Sequence, residues 1–365
     1  MGTDLLKLDY LLDRPSAISN REPKQRNGVV FLGAFWPLDF PVQIPVHSQA
    51  KPFSSPSPFS SSAGLRDADS AAPGGPPPIR VSLTDSAGRG VFATRKIGAG
   101  ELIHTAKPLV AHPSLSSIHH VCNFCLQKLQ RYANVDSDAR RASFCSEECE
   151  QHSKVFHDVE MEADWSDYDN YCRERGFKYP LLVKRLACMV ISGAMSSDHL
   201  DILQPSRLST DIVLELEEGY SLLRKALINA NITDERMLFL TQEWYTGVLA
   251  RIRINAFRIE LAGGYEDLHS LAAACVEAEA AVGNAVYMLP SFYNHDCDPN
   301  THIIWINNAN AKLKALRDVD PDEELRICYI DASMDYDARQ TLLHRGFGFI
   351  CKCARCSYGI NPIWL

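Results

Sequence analysis

Apolar residues recur three or four positions apart in YPLLVKRLACMVISGAM from 179 to 195, FLTQEWYTGVLARIRINAF from 239 to 257 and LHSLAAACVEAEAAV from 268 to 282. That period over ten or more residues predicts helices with one buried face, and it makes the block from about 178 to 281 helical. On either side the signal is that of strands. Val91, Phe92 and Ala93 form a strand-like run, and strand signals resume at Ile303, Ile304 and Trp305. They continue from Leu313 through the alternating Leu325 and Ile327, around a turn at Asp320, Pro321 and Asp322. Residues 1 to about 78 carry no sustained period, and 46 to 79 are rich in Ser, Pro, Ala and Gly, the composition of a solvated linker. The stretch from Val46 to Arg66 is serine-rich, basic and free of acidic residues, as transit segments are, yet Asp4, Asp9 and Asp13 precede it. A low-order tail is the expectation there, with organelle targeting as the alternative. No run reaches the roughly 18 uninterrupted apolar residues of a membrane span.

Twelve cysteines change this picture. Cys351, Cys353 and Cys356 form C-x-C-x2-C, spaced to wrap one tetrahedral ion that needs a fourth ligand, for which Cys297 is the nearby candidate. Metal there would tie the tail to the loop NHDCDPN at 294 to 300 and couple tail folding to metal binding. Upstream, Cys122 and Cys125 precede Cys145 and Cys149, two short knuckles able to share one Zn²⁺ in a closed, structural site. Incidental thiols are the competing reading for the tail, and a disulfide framework for the knuckle. Against the second, no secretory signal opens the chain, and Cys172, Cys188, Cys275 and Cys328 follow no pairing pattern.

Three further segments carry chemistry. In SAGRGVFATRKIGAGELI at 86 to 103, Gly88 and Gly90 bracket Arg89, so the backbone can turn tightly and approach a ligand, although a plain hairpin turn explains them as well. Tyr329 in EELRICYID at 323 to 331 ends an alternating strand, a pattern that fits a core tyrosine as well as a catalytic one. Together with NHDCDPN and the C-x-C-x2-C tail, these segments resemble the SET-domain protein lysine methyltransferases. The inserted cysteine knuckle is similar to the SET-and-MYND type, and the plant trithorax-related SET subgroup is a candidate within it. The resemblance covers roughly residues 79 to 358.

It implies an α+β chain: a β-rich SET fold with an inserted zinc knuckle, a helical insert and a zinc-binding post-SET tail. The expected boundaries are 1–78 for the low-order segment, 79–115 for the first part of the SET domain and 116–160 for the knuckle. Those that follow are 161–281 for the helical insert, 282–350 for the catalytic core and 351–365 for the tail. It further implies S-adenosylmethionine as cofactor, contacted by backbone around Arg89 and Gly90, by Asn294 and His295, and by Asn255, Tyr329 and Phe349. Tyr329 would be catalytic, at the base of the channel where lysine meets the methyl group. Tyr287, Phe292 and Phe347 are candidate channel walls, though Tyr287 and Phe292 fit plain core equally. The family's finger holds two interleaved zinc sites. Here no second C-x2-C lies between the pairs, and Met161 stands where a cysteine would follow His157. Two zinc ions are therefore expected for the whole chain, one in the knuckle and one in the tail, with His152 and His157 as surface or packing residues.

The implied chemistry has a size. A lysine of pKa about 10.4 is only about 0.04% neutral at pH 7, so deprotonation costs about 4.6 kcal/mol. A sulfonium about 5 Å away at an effective dielectric of about 20 disfavours the ammonium by about 3.3 kcal/mol, and desolvation in an aromatic channel adds to that. A formal charge of −8 argues against DNA as the main partner and suits a protein substrate with an accessible lysine, a histone among the candidates. Nucleus or cytoplasm is the expected compartment. The rival from another class is a catalytically silent SET protein acting as a zinc-dependent interaction or chromatin adaptor, against which Asn294, His295 and Tyr329 are all present.

Overall fold

A computed structural model describes residues 76–129, 143–262 and 281–358. The N-terminal segment up to residue 75, with its serine-rich stretch, lies outside the described residues, as do nearly all of the 268–282 pattern and the end of the tail.

Strands β1 (Ile79–Leu83) and β2 (Arg89–Ala93) form a hairpin. Gly88 turns it at φ 74°, a left-handed conformation that side chains with a Cβ disfavour. On its other edge β2 pairs antiparallel with β10 (Glu324–Ile327), which runs parallel to the two-residue β7 (Asn294–His295), giving the order β1-β2-β10-β7. A second sheet orders β3 (Leu102–Ala106), β9 (Ala311–Ala315) and β8 (Thr301–Ile304). The third orders β4 (Val110–Pro113), β6 (Gly283–Val286) and β5 (Ala256–Ile259). Alternate side chains from the three sheets, among them Val91, Ile103, Ala285, Leu313 and Leu325, share one core. Strands far apart in sequence thereby meet.

Helix α1 (Glu147–Ser153) carries Cys149 of the second knuckle pair, and α2 (His157–Glu162) follows it. A second core gathers α3 (Ser166–Glu174), α4 (Tyr179–Ile191), α5 (Thr210–Asn229) and α6 (Gln242–Asn255). Ser209 and Thr241 cap α5 and α6 by accepting from Ile212 N and Trp244 N, which satisfies amides the first turn leaves free. Arg185 on α4, 2% exposed, welds the knuckle, the helices and β4 together. It pairs with Glu160 at 2.9 Å, donates to Ala111 O at 2.6 Å and to Asn123 O at 2.9 Å, and lies 4.0 Å over the Phe156 ring.

One expectation is corrected. The helical period through Phe257 does not carry helix past Asn255. Phe257 and Ile259 instead lie in β5, in register with Ala285 and Gly283, because pairing with β6 outweighs local periodicity. After β10 come α7 (Tyr336–Leu342) and the short tail helix α8 (Ala354–Tyr358).

Candidate functional site

The parallel pairing of β7 with β10 sets Asn294 opposite Arg326 and His295 opposite Ile327, which brings the NHDCDPN loop beside Tyr329. The Tyr329 amide donates to His295 Nδ1 at 3.0 Å. That nitrogen is therefore the acceptor of the ring, so Nε2 carries the proton and donates to Cys297 Sγ at 3.3 Å. His295 thus joins the cysteine cluster of the tail to the backbone of Tyr329. The Tyr329 hydroxyl donates to the Tyr293 carbonyl at 2.6 Å. Burial first, and the nearby Glu324 carboxylate second, push its phenol above the ordinary range, so it stays protonated at neutral pH. Phe347 lies 4.9 Å from the Tyr329 ring, and Phe349 lies 5.9 Å from His295 and 6.4 Å from Tyr329.

Tyr329 and Phe347 open onto a cleft lined also by Phe257, Trp305 and the nearly buried Tyr293, with Asn255, Arg258 and Ser291 among its polar members. Two expected wall residues lie elsewhere. Tyr287 is 0% exposed and faces the core, its hydroxyl bonded to Ala309 O and accepting from Trp305 Nε1 at 2.8 Å. Phe292 lies under the Arg89 guanidinium, 4.5 Å from its centroid. A buried phenol needs both its partners, and a ring beneath a cation is held away from the cleft.

Arg89 also donates to the Ile202 carbonyl, and Asn255, the last residue of α6, donates to Gln204 O at 2.9 Å and Arg251 O at 2.7 Å. Arg89 thus fastens the 200–206 loop to β2, and Asn255 fastens it to the end of α6. The room left by Gly90 is taken by protein: a Cβ there would stand 2.6 Å from Glu324 Oε1, 2.8 Å from Thr84 Cγ2 and 3.1 Å from Asn294 Nδ2. The hairpin reading of the glycines therefore holds, and the groups packed beside Gly90 are the side chains of Glu324, Thr84 and Asn294.

Eight cysteines form two clusters of four, Cys122, Cys125, Cys145 and Cys149, and Cys297, Cys351, Cys353 and Cys356, with all sulfur atoms in each within 4.8 Å of one another. A tetrahedral Zn²⁺ with bonds of about 2.3 Å requires sulfurs about 3.8 Å apart. The separations are 3.6 Å for Cys125–Cys145, 3.5 Å for Cys145–Cys149, 3.9 Å for Cys297–Cys351 and 3.5 Å for Cys297–Cys356. Both clusters fit zinc. At the tail the Gln340 side chain of α7 grips Cys351 through N and O at 2.9 Å each, and Arg355 donates to Cys297 O at 3.1 Å. In the knuckle His152 packs 5.7 Å from Phe124 and His157 meets the edge of Phe144 at 5.1 Å.

Sequence reasoning missed Tyr293, Trp305, Phe257 and Glu324. Tyr293 and Phe257 each sit within two residues of a position singled out by motif, but nothing in the local pattern says which way a ring turns. His104 on β3 was also missed. It is buried, lies 3.0 Å from the Tyr293 hydroxyl through Nε2, and is held neutral by desolvation, which lowers its pKa to about 4.

The comparisons agree with this arrangement. A family model described as SET domain matches residues 88–330. The chain is 62% identical over 312 residues to the histone-lysine N-methyltransferase ATXR4 of Arabidopsis thaliana, covering 85% of this chain and 95% of that one. It is 24% identical over 275 residues to a SET and MYND domain-containing protein of Dictyostelium discoideum, covering 72% and 78%. Against histone-lysine N-methyltransferase SMYD3 of Homo sapiens it is 28% identical over 297 residues, 76% of this chain and 62% of that one. With the hairpin glycines, the loop of β7 and Tyr329 all inside the matched span, the chain belongs to the SET-domain family.

Proposed function

We propose that the protein is an S-adenosylmethionine-dependent protein lysine N-methyltransferase, with Tyr329 at its centre and histones as the substrate class to test first. The observation that carries this reading is that one loop, 293–297, contacts Tyr329 through Tyr293 O and His295 Nδ1 and the tail cluster through Cys297. The residues fit the donor. Aromatic faces of Tyr329, Phe347 and Phe349 suit a cation, and Asn294 spends both recorded hydrogen bonds through Nδ2, which leaves its Oδ1 as an acceptor. Bound S-adenosylmethionine would supply an electrophilic methyl group on a positively charged sulfur.

The chain's own part is placement and exclusion of water. Phe347, Tyr293, Phe257 and Trp305 would hold a lysine stem and desolvate its nitrogen, which favours the neutral amine. The protonated Tyr329 hydroxyl orients that amine and does not remove its proton, which leaves to solvent. Zn²⁺ held by Cys297 and the three tail cysteines would keep Phe347 and Phe349 over the site, and a second Zn²⁺ would shape the knuckle. No helix among the described residues is long and apolar enough to cross a membrane, and a histone substrate would place the protein in the nucleus.

The test is methyl transfer from tritiated S-adenosylmethionine to histone octamers and to fractionated lysate proteins, with the labelled residue mapped. Label on lysine supports the reading, and label on histone lysine its narrower form. Donor binding without transfer to any protein would favour the silent adaptor instead.

A further inference from the structure

The Asn294 side chain makes two hydrogen bonds, both through Nδ2: to Arg89 O at 3.0 Å and to Glu324 Oε1 at 2.7 Å. A carbonyl and a carboxylate are acceptors alone. Were the amide turned over, its oxygen would face two oxygens, so the orientation follows from the chemistry of the partners. Glu324 divides its work. While Oε1 serves Asn294, Oε2 accepts from Arg326 Nε at 2.8 Å, and the side chain is 11% exposed. Gly90 completes the unit, since any Cβ there would collide with Glu324 Oε1.

We propose that Glu324 is a positioning residue for methyl-donor recognition: with Arg89 O it takes both N–H groups of Asn294 and so presents Asn294 Oδ1 to the α-ammonium of the donor's amino-acid portion. The proposal rests on the reading that S-adenosylmethionine binds beside Asn294. It concerns a residue on the strand directly beside the hairpin glycines, and it distinguishes recognition of the amino-acid end from recognition of adenosine.

Glu324→Gln tests it. Glutamine has the same shape but one accepting and one donating side, and it must meet the donors of Arg326 and the donor of Asn294 together. Satisfying Arg326 turns the glutamine NH2 toward Asn294, which turns Asn294 over and faces an NH2 toward an ammonium. Removing the competing demand with Arg326→Met lets the glutamine oxygen return to Asn294. By calorimetry on zinc-loaded protein, Glu324→Gln is expected to weaken S-adenosylmethionine and S-adenosylhomocysteine by about tenfold or more. Methylthioadenosine, which lacks the amino acid, should stay within about twofold, and Glu324→Gln with Arg326→Met should return to within about threefold of Arg326→Met alone. The proposal is overturned if all three ligands weaken alike, if none does, or if the double variant gives no recovery. Wild-type protein that binds none of them would instead overturn the proposed function.

Discussion

Replacing Cys297 with Ser removes the one ligand that joins the tail cluster to the loop of β7. Its sulfur lies 3.9 Å from Cys351 Sγ and 3.5 Å from Cys356 Sγ, and it accepts from His295 Nε2 at 3.3 Å. Serine is a poor zinc ligand in a thiolate site, so the tail ion is expected to be lost, and structural zinc in small modules contributes about 10–16 kcal/mol of apparent binding energy. What would remain across the clasp is the Gln340 grip on Cys351, the Arg355 bond to Cys297 O and the partly buried rings of Phe347 and Phe349. Those contacts are worth about 1 kcal/mol per hydrogen bond and less than about 3 kcal/mol per ring, too little to order the tail firmly. His295 also loses a charged acceptor, a bond worth about 1.5–3 kcal/mol, which sets the expected loss of donor affinity between about tenfold and about a hundredfold. Metal analysis should fall from two zinc ions per chain to one, retained by the separate cluster at Cys122, Cys125, Cys145 and Cys149. Both quantities are read on one preparation, by elemental analysis and calorimetric titration. Two zinc ions together with wild-type affinity would refute the idea that the tail is clasped to the loop.

Tyr329→Phe deletes the hydroxyl bonded to Tyr293 O at 2.6 Å; turnover in the tritium assay should fall about a hundredfold or more while S-adenosylmethionine affinity stays within about threefold, and unchanged turnover would remove Tyr329 from the mechanism. Arg185→Met strips five hydrogen bonds and a ring contact from a side chain 2% exposed and leaves Glu160 without its partner, so denaturant unfolding should show a loss of about 3–5 kcal/mol, and a loss under about 1 kcal/mol would deny Arg185 its welding role. His104 has a folded pKa of about 4 against an ordinary 6.5, so the unfolded chain binds the extra proton between those values and stability falls as pH drops through that window. His104→Gln should therefore flatten the melting temperature against pH between about 6.5 and about 4 relative to wild type, and parallel curves would show that this histidine is not the source.

The spacing of the cysteines pointed to both clusters because ligands held by one ion lie close in sequence, and a C-x-C-x2-C or C-x2-C run can reach a tetrahedron by itself. Helices α4 and α6 were visible for a similar reason: a buried face leaves a period of 3.6 that local sequence carries. By contrast, β5 was hidden inside the period of α6, since its identity rests on pairing with β6, about 25 residues further along. The motif residues Asn294, His295 and Tyr329 were singled out by resemblance, and their pairing across β7 and β10 exists only in the folded sheet. Likewise no local pattern shows that the Tyr287 hydroxyl is locked between Trp305 and Ala309 while the Tyr293 hydroxyl reaches the buried His104. Glu324 was one acidic residue among many until the fold set its carboxylate under an amide thirty positions upstream. The sequence by itself determined which side chains could bind metal and which segments had a face to bury. Which ring lines the cleft, and which way an amide points, depend on contacts between distant strands, and only the tertiary structure decided them.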